Sequence, residues 1–340
     1  MKKKRFAFLA VLTILCFEIL GVENATKAPL VVESQAPHIV ENVGGPPETT
    51  RKEVKLDSEL KNVYKYCPTS LNGNVLYCSN EETPGEVKDG IYLNDKKVLG
   101  TTKGSWDSVQ VCDPSVVAGE FTYQCNSYKY LMAYLGCSTY DCTVNEIGFA
   151  LSNDLYNWTK TGKVVSAVRD GCWGVGQPSL LNYEGDIFLF YTSGTAAETT
   201  TYVEKLDCSD LGNITRLGKQ KITCSYDFIS NADFAYANGT LYMTCDTHPF
   251  PAGAQNFISA VQSVYSASWD GSIESLGNMN WQKVASIGSS VTGHERNHNG
   301  CFVRDEYGGL TSNTIYVTTA DAVGSWSDNL YTYRFTAVNF

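Results

Sequence analysis

From residue 60 onward the chain alternates short apolar runs with polar punctuation. The runs include NGNVLYCSN and DGIYLND within 60–100, then YKYLMAYLG (128–136), EIGFALS (146–152), GDIFLFYTSG (185–194), GTLYMTCD (239–246) and NTIYVTTAD (313–321). Aromatic and β-branched residues dominate them, as they do in strands. Gly, Asn, Asp and Ser separate them, which marks turns. No stretch shows a sustained helical period with caps. Runs such as IFLFYTS (187–193) are apolar on both faces. That predicts inner strands packed between neighbouring sheets rather than strands with one wet face.

One phrase recurs ahead of these strands. It reads VCDPSVV at 111–117, GQPSLL at 176–181, NADFAYA at 231–237 and HNGCFV at 298–303. Recurrence at intervals of roughly 60 residues indicates one supersecondary unit used several times. Its first position reads Asp113, Gln177, Asp233 and Asn299, a polar residue where a repeat architecture places side chains at its common axis. The units divide the chain into sheets at 60–100, 109–167, 172–224, 226–286 and 290–340. The expected fold is therefore all-β, a five-bladed β-propeller, which limits exposed sheet edges by radial repetition. A β-sandwich is the plainer alternative, and the repeated phrase argues against it.

The chain starts differently. MKKKRF followed by AFLAVLTILCFEIL reads as a secretory signal peptide over residues 1–25, cleaved after Gly21 or Ala25. Residues 26–57 carry four prolines and no apolar period, so a flexible linker is expected there. The propeller domain then spans 58–340. The expected protein is secreted, has no membrane attachment after cleavage, and is a monomer.

Composition narrows the partners. The net charge is −10, and removal of the leader leaves the mature chain near −12. With no basic patch, no nucleic acid is expected as a partner. An anionic polysaccharide would be repelled, which favours a neutral ligand. Of twelve cysteines, eleven follow the leader. They lack zinc-type spacing, so disulfides are expected and no metal site. Candidate pairs are Cys137 with Cys142, Cys112 with Cys125, and Cys208 with Cys224. Glycosylation sequons stand at Asn24, Asn157, Asn213 and Asn238.

Four local features together resemble glycoside hydrolase family 43 and the related invertase and levansucrase clan. They are DPS (113–115) before a strand, SNDLYNW (152–158) at a blade end, WGVGQPSLLNYEGDIFLFYTS (173–193), and NADFAYANGTLYM (231–243). The resemblance implies a carbohydrate substrate with a furanoside or pentoside linkage (arabinosyl, xylosyl or fructosyl). It also implies three carboxyl groups around a central cavity. Carried over residue by residue, Asp113 falls on the water-activating base and Asp233 on the carboxylate that tunes the acid. Glu295 in GHERNHNG (293–300) falls on the proton donor. It implies no cofactor, although a structural calcium ion in the central channel is compatible with it. Departures are Phe234 in place of a proline and the missing Glu-Gly-Pro phrase.

Physical chemistry supports the same assignment. Glycosidic cleavage uses one protonated and one ionised carboxyl, and crowding like charges raises the pKa of one of them. Trp106 and Asp107 are candidates for the cavity mouth, where an indole can stack on a sugar. Trp173, Gln177, Asn231, His294, His298 and Asn299 complete the expected substrate contacts. Plainer readings exist for each group. Asp113-Pro114 can be a turn, Asp233 a local cap, Trp106 a packed blade edge, and Glu295 a solvated loop residue. A carbohydrate-binding propeller without catalysis is the alternative function.

Overall fold

In the computed structural model the described residues are 51–53, 65–79, 89–168, 173–195, 198–225, 229–246, 259–321 and 333–340. The expected signal peptide, most of the expected linker and Cys172 lie outside them. A short strand β1 (Arg51–Glu53) comes first. Blade one is β2 (Tyr66–Leu71), β3 (Asn74–Ser79), β4 (Gly90–Leu93) and β5 (Lys96–Leu99). Blade two is β6 (Gln110–Tyr123), β7 (Asn126–Cys137), β8 (Asn145–Ser152) and β9 (Trp158–Val165). Blade three is β10 (Gly174–Tyr183), β11 (Asp186–Gly194), β12 (Thr199–Asp207) and β13 (Thr215–Ile222). Blade four is β14 (Asp233–Ala237), β15 (Thr240–Asp246), β16 (Gln262–Ser268) and β17 (Gln282–Ile287). Blade five is β18 (Arg296–Arg304), β19 (Leu310–Ala320) and β20 (Arg334–Asn339).

Each blade is an antiparallel meander. Blade five takes its fourth strand from the other end of the chain, because β1 pairs β20 with Arg51 opposite Val338. Residues 51–53 were expected to be linker. They instead supply the outer strand of blade five, so that blade, like the others, has four strands. Blades two and three are also joined, through a parallel contact of Asn145 with Gly174.

Every neighbouring pair of blades encloses its own apolar layer. Leu76, Ile91, Met132 and Tyr134 lie between blades one and two. Phe149, Leu151, Leu189 and Tyr191 lie between two and three. Phe188, Phe190, Phe234, Met243 and Trp269 lie between three and four, where the Phe190 and Phe234 rings stack at 3.9 Å. Val264, Ile287, Phe302 and Val317 fill the next layer, and Tyr77, Tyr92 and Phe335 bring blade five back to blade one. This is why inner strands are apolar on both faces: each face packs on a different neighbour. Among the described residues no helix is long and apolar enough to cross a membrane.

No disulfide joins the described cysteines. Register explains two of the missing pairs. Cys112 sits opposite Leu135, whereas Cys125 lies in the turn beyond the Tyr123–Asn126 pair at the far end of β6. Cys208 follows the Asp207–Thr215 end of a hairpin, and Cys224 follows Ile222 at its other end. Cys137 and Cys142 do approach one another. A hydrogen bond from Cys142 holds the Cys137 thiol down to about 6.

Candidate functional site

The five inner strands reach the axis with one feature in common. Cys67, Asp113, Gln177, Asn231 and Asn299 all have φ between 46° and 50°. This left-handed conformation is uncommon for residues with a side chain, although Asn and Asp tolerate it best. A bulge brackets the residue in β2, β6, β10 and β18. A bulge re-aims a side chain, and here it turns four of them toward the cavity that Asn231, just ahead of β14, also lines. Proline follows in three cases (Pro68, Pro114, Pro178), which removes an N–H that the broken ladder could not satisfy.

Cys67, Asp113, Gln177, Asn231, Asp233 and Asn299 line the cavity, which opens to solvent and has a volume of about 40 Å³. That holds about two or three waters. The Asp113 carboxyl is enclosed, and burial raises its pKa. Hydrogen bonds from the Cys67 thiol, the Gln177 N–H and the Cys112 thiol oppose the rise. Asn231 donates to Asp246, which also accepts the Asn299 N–H at 3.0 Å. Burial pushes the Asp246 carboxyl well above the usual carboxylate range. Gln177 Oε1 and Asn231 Oδ1 are buried acceptors with no partner.

Two positions further along each inner strand lies a second ring. Its members are Thr69, Ser115, Ser179, Asp233 and Cys301. The Ser115 hydroxyl accepts from Leu180 N (2.9 Å), Ser179 from Phe234 N (3.1 Å), and Asp233 from Phe302 N (2.9 Å). Each bond ties one blade to the next. Arg304 of β18, fully buried, fills the axis beneath. It donates to the carbonyls of Leu180 (3.2 Å) and Phe234 (2.8 Å) and to the Thr69 hydroxyl (3.2 Å), and it pairs with Asp233 at 3.3 Å.

This second ring corrects the reading of the repeat. Asn231, not Asp233, is the counterpart of Asp113, and Asp233 aligns with Ser115. Asp233 touches the cavity, but its oxygens are taken by Ser179, Phe302 and Arg304. Glu295 is exposed, in the turn ahead of β18, and does not line the cavity. Nor do Trp106 and Asp107. Trp106 stacks on Tyr134 at 5.5 Å over Gly136 and Gly148, and Asp107 is buried against Lys160 and the Tyr134 hydroxyl. Trp173 packs over Gly194, and its carbonyl accepts Asn145 N at 3.0 Å. His294 pairs with Asp321 at 2.5 Å. His298 is buried beside Tyr333, and burial, followed by the Arg296 charge, lowers its pKa to about 3. These aromatic and histidine side chains were expected at the sugar; the fold uses them in packing around the cavity.

Calcium takes about six to eight oxygens. The ring offers one carboxylate and three amides beside a thiol, which is short of a calcium cage.

Sequence reading missed Cys67, Asp246 and Arg304. For Cys67 a signal was present: Cys67-Pro68-Thr69 matches Asp113-Pro114-Ser115 and Gln177-Pro178-Ser179 in form.

Fold and axial cavity define the chain as a five-bladed β-propeller with a polar ring at its centre. Neither the protein-family models nor the curated protein sequences contain a match. Solved structures do match in fold. An α-L-arabinofuranosidase from Lactobacillus brevis superposes with a TM-score of 0.55 at 11% identity, covering 82% of this chain and 90% of its own. A family 117 glycoside hydrolase of Zobellia galactanivorans gives 0.56 at 10%, covering 86% and 90%. The Bacillus subtilis arabinanase gives 0.52 at 14%, covering 82% and 94%.

Proposed function

We propose that the protein is a secreted glycoside hydrolase acting on arabinosyl linkages, with Asp113 as the water-activating base. One observation carries the reading: five polar side chains are turned, against backbone preference, into a single axial cavity on a fold shared with arabinofuranosidases and arabinanases. Left-handed residues with side chains cost about 1–3 kcal/mol each, and such strain concentrates at functional sites. The unpartnered amide oxygens of Gln177 and Asn231 suit the hydroxyl donors of a sugar. In the proposed displacement, water held at the cavity floor loses a proton to Asp113 and attacks the anomeric carbon. Glu295, exposed outside the cavity, is the candidate donor of the proton to the glycosidic oxygen, for a substrate that extends beyond the cavity. The exposed sequons at Asn157, Asn213 and Asn238 support a secreted protein.

The test is hydrolysis of aryl arabinofuranosides and linear arabinan by the protein, Asp113→Asn and Glu295→Gln. A competent general base contributes about 10²–10⁴-fold, so Asp113→Asn should lose that factor. Equal rates would remove Asp113 from the mechanism.

The second reading is carbohydrate binding without turnover. Its support is that Asp113 is the one carboxylate in the upper ring, while Glu295 stands outside the cavity. Binding of arabino-oligosaccharide with no product from either form would select it.

A further inference from the structure

Three thiols and the Asp113 carboxyl meet where blades one and two reach the axis. Ligand atoms of Cys67, Cys78 and Asp113 lie within 4.8 Å of one another. The Cys112 thiol touches both Cys78 and Asp113. All three sulfurs accept a hydrogen bond from nitrogen: Cys67 from Asn299 Nδ2 at 2.6 Å, Cys78 from Asp113 N at 2.9 Å, and Cys112 from Gln110 Nε2 at 3.3 Å. Neutral sulfur is a weak acceptor. N–H groups aimed at all three are what bound thiolates need from their surroundings.

We infer that Cys67, Cys78 and Asp113, with the Cys112 thiol packed beside them, form a binding site for a zinc-like divalent cation facing the axial cavity. A tetrahedral zinc ion with bonds of about 2.3 Å to sulfur and 2.0–2.2 Å to oxygen holds its ligands ~3.5–3.8 Å apart. The observed cluster needs only a small contraction to meet that. A single disulfide would use two of the sulfurs and leave the third with its N–H donor unexplained.

The site stands apart from the proposed hydrolysis but shares one residue with it. Asp113 bound to a cation is unavailable as a base, so the cation suppresses turnover while it is bound.

The experiment is titration of the reduced full chain with cobalt(II) without oxygen, followed by competition with zinc(II). One equivalent should give thiolate-to-cobalt charge-transfer absorption with tetrahedral visible bands, both removed by zinc. Cys67→Ser and Cys78→Ser should each lose the band. Asp113→Asn, which keeps shape and backbone tolerance, should weaken binding by about 10-fold or more. Cys125→Ser, in the exposed β6–β7 turn, should change nothing. No thiolate band, a band untouched by the cysteine variants, or a Cys67–Cys78 disulfide in the secreted protein would overturn the inference. Cobalt binding together with no hydrolysis by the cation-free protein would defeat the glycosidase reading alone. Hydrolysis without cobalt binding would defeat this site alone.

Discussion

Two rings of side chains lie two residues apart on the same five strands, one open and one sealed. The upper ring (Cys67, Asp113, Gln177, Asn231, Asn299) sits on left-handed backbone and keeps unpartnered acceptors. The lower ring (Thr69, Ser115, Ser179, Asp233, Cys301) spends its oxygens on the next blade and on Arg304. Contacts place both rings at the axis: the upper ring lines the cavity, and Thr69, Ser115 and Asp233 of the lower ring reach Arg304. Pairing separates them. A polar group whose partners are all internal holds the ring of blades together, and one left without a partner is available to a ligand. Residue type alone does not make the distinction, since an aspartate occurs in each.

Arg304 offers the largest test of the sealed ring. Arg304→Met leaves Asp233 buried without its cation and should cost about 3–5 kcal/mol, read by urea unfolding. Adding Asp233→Asn to Arg304→Met should recover part of the loss. If Arg304→Met alone is neutral, the lower ring is not what ties the blades.

Acidification gives a smaller effect, from the strand that carries both rings. His298 is buried on β18 with neither ring nitrogen partnered, and its pKa is lowered to about 3. Between about pH 3 and pH 6.5 the unfolded chain binds a proton that the folded one refuses. Stability therefore rises with pH across that window and is lost on acidification, by at most about 1.4 kcal/mol per pH unit from this group. His298→Gln should flatten the slope. Asp246, its pKa raised by burial, works in the opposite sense: its folded form keeps a proton the unfolded chain gives up, so stability falls as pH rises above the ordinary Asp range. Asp246→Asn should steepen the rise that His298 produces. Equal slopes in all three proteins, measured by denaturant melts across pH 4–7, would count against both assignments.

The smallest effect belongs to the open ring. Gln177→Asn keeps an amide but withdraws it from the cavity. Sugar binding by calorimetry should weaken by about 0.5–1.5 kcal/mol, with the melting temperature nearly unchanged. A large loss of stability with binding intact would move Gln177 into the structural class.

The blade pattern was legible in the sequence because each blade repeats one local device. A left-handed residue stands at the head of each inner strand, inside a bulge in four of the five blades, and three of the five are followed by a proline. Asp113 and Gln177 could be placed at the axis for that reason. Asp233 was misplaced by two positions because NAD offers two polar residues at the same two-residue spacing, and composition prefers the charged one. Trp106, Trp173 and His294 look like sugar contacts in a list of residues. The fold spends them on glycine-bearing strands and on Asp321.

By itself the sequence determined the strand content, the five-fold repeat and the polar character of the axis. These depend on local chemistry: apolar periodicity, turn residues, and the few side chains that tolerate a left-handed bulge. Only the tertiary structure decided which polar groups end with partners. Arg304 meets Thr69 and Phe234, and Cys67 meets Asn299, across separations of 235, 70 and 232 residues. The Thr69 and Cys67 contacts exist only once blade five meets blade one, and blade five gets its fourth strand from residues 51–53, in a stretch whose composition reads as linker.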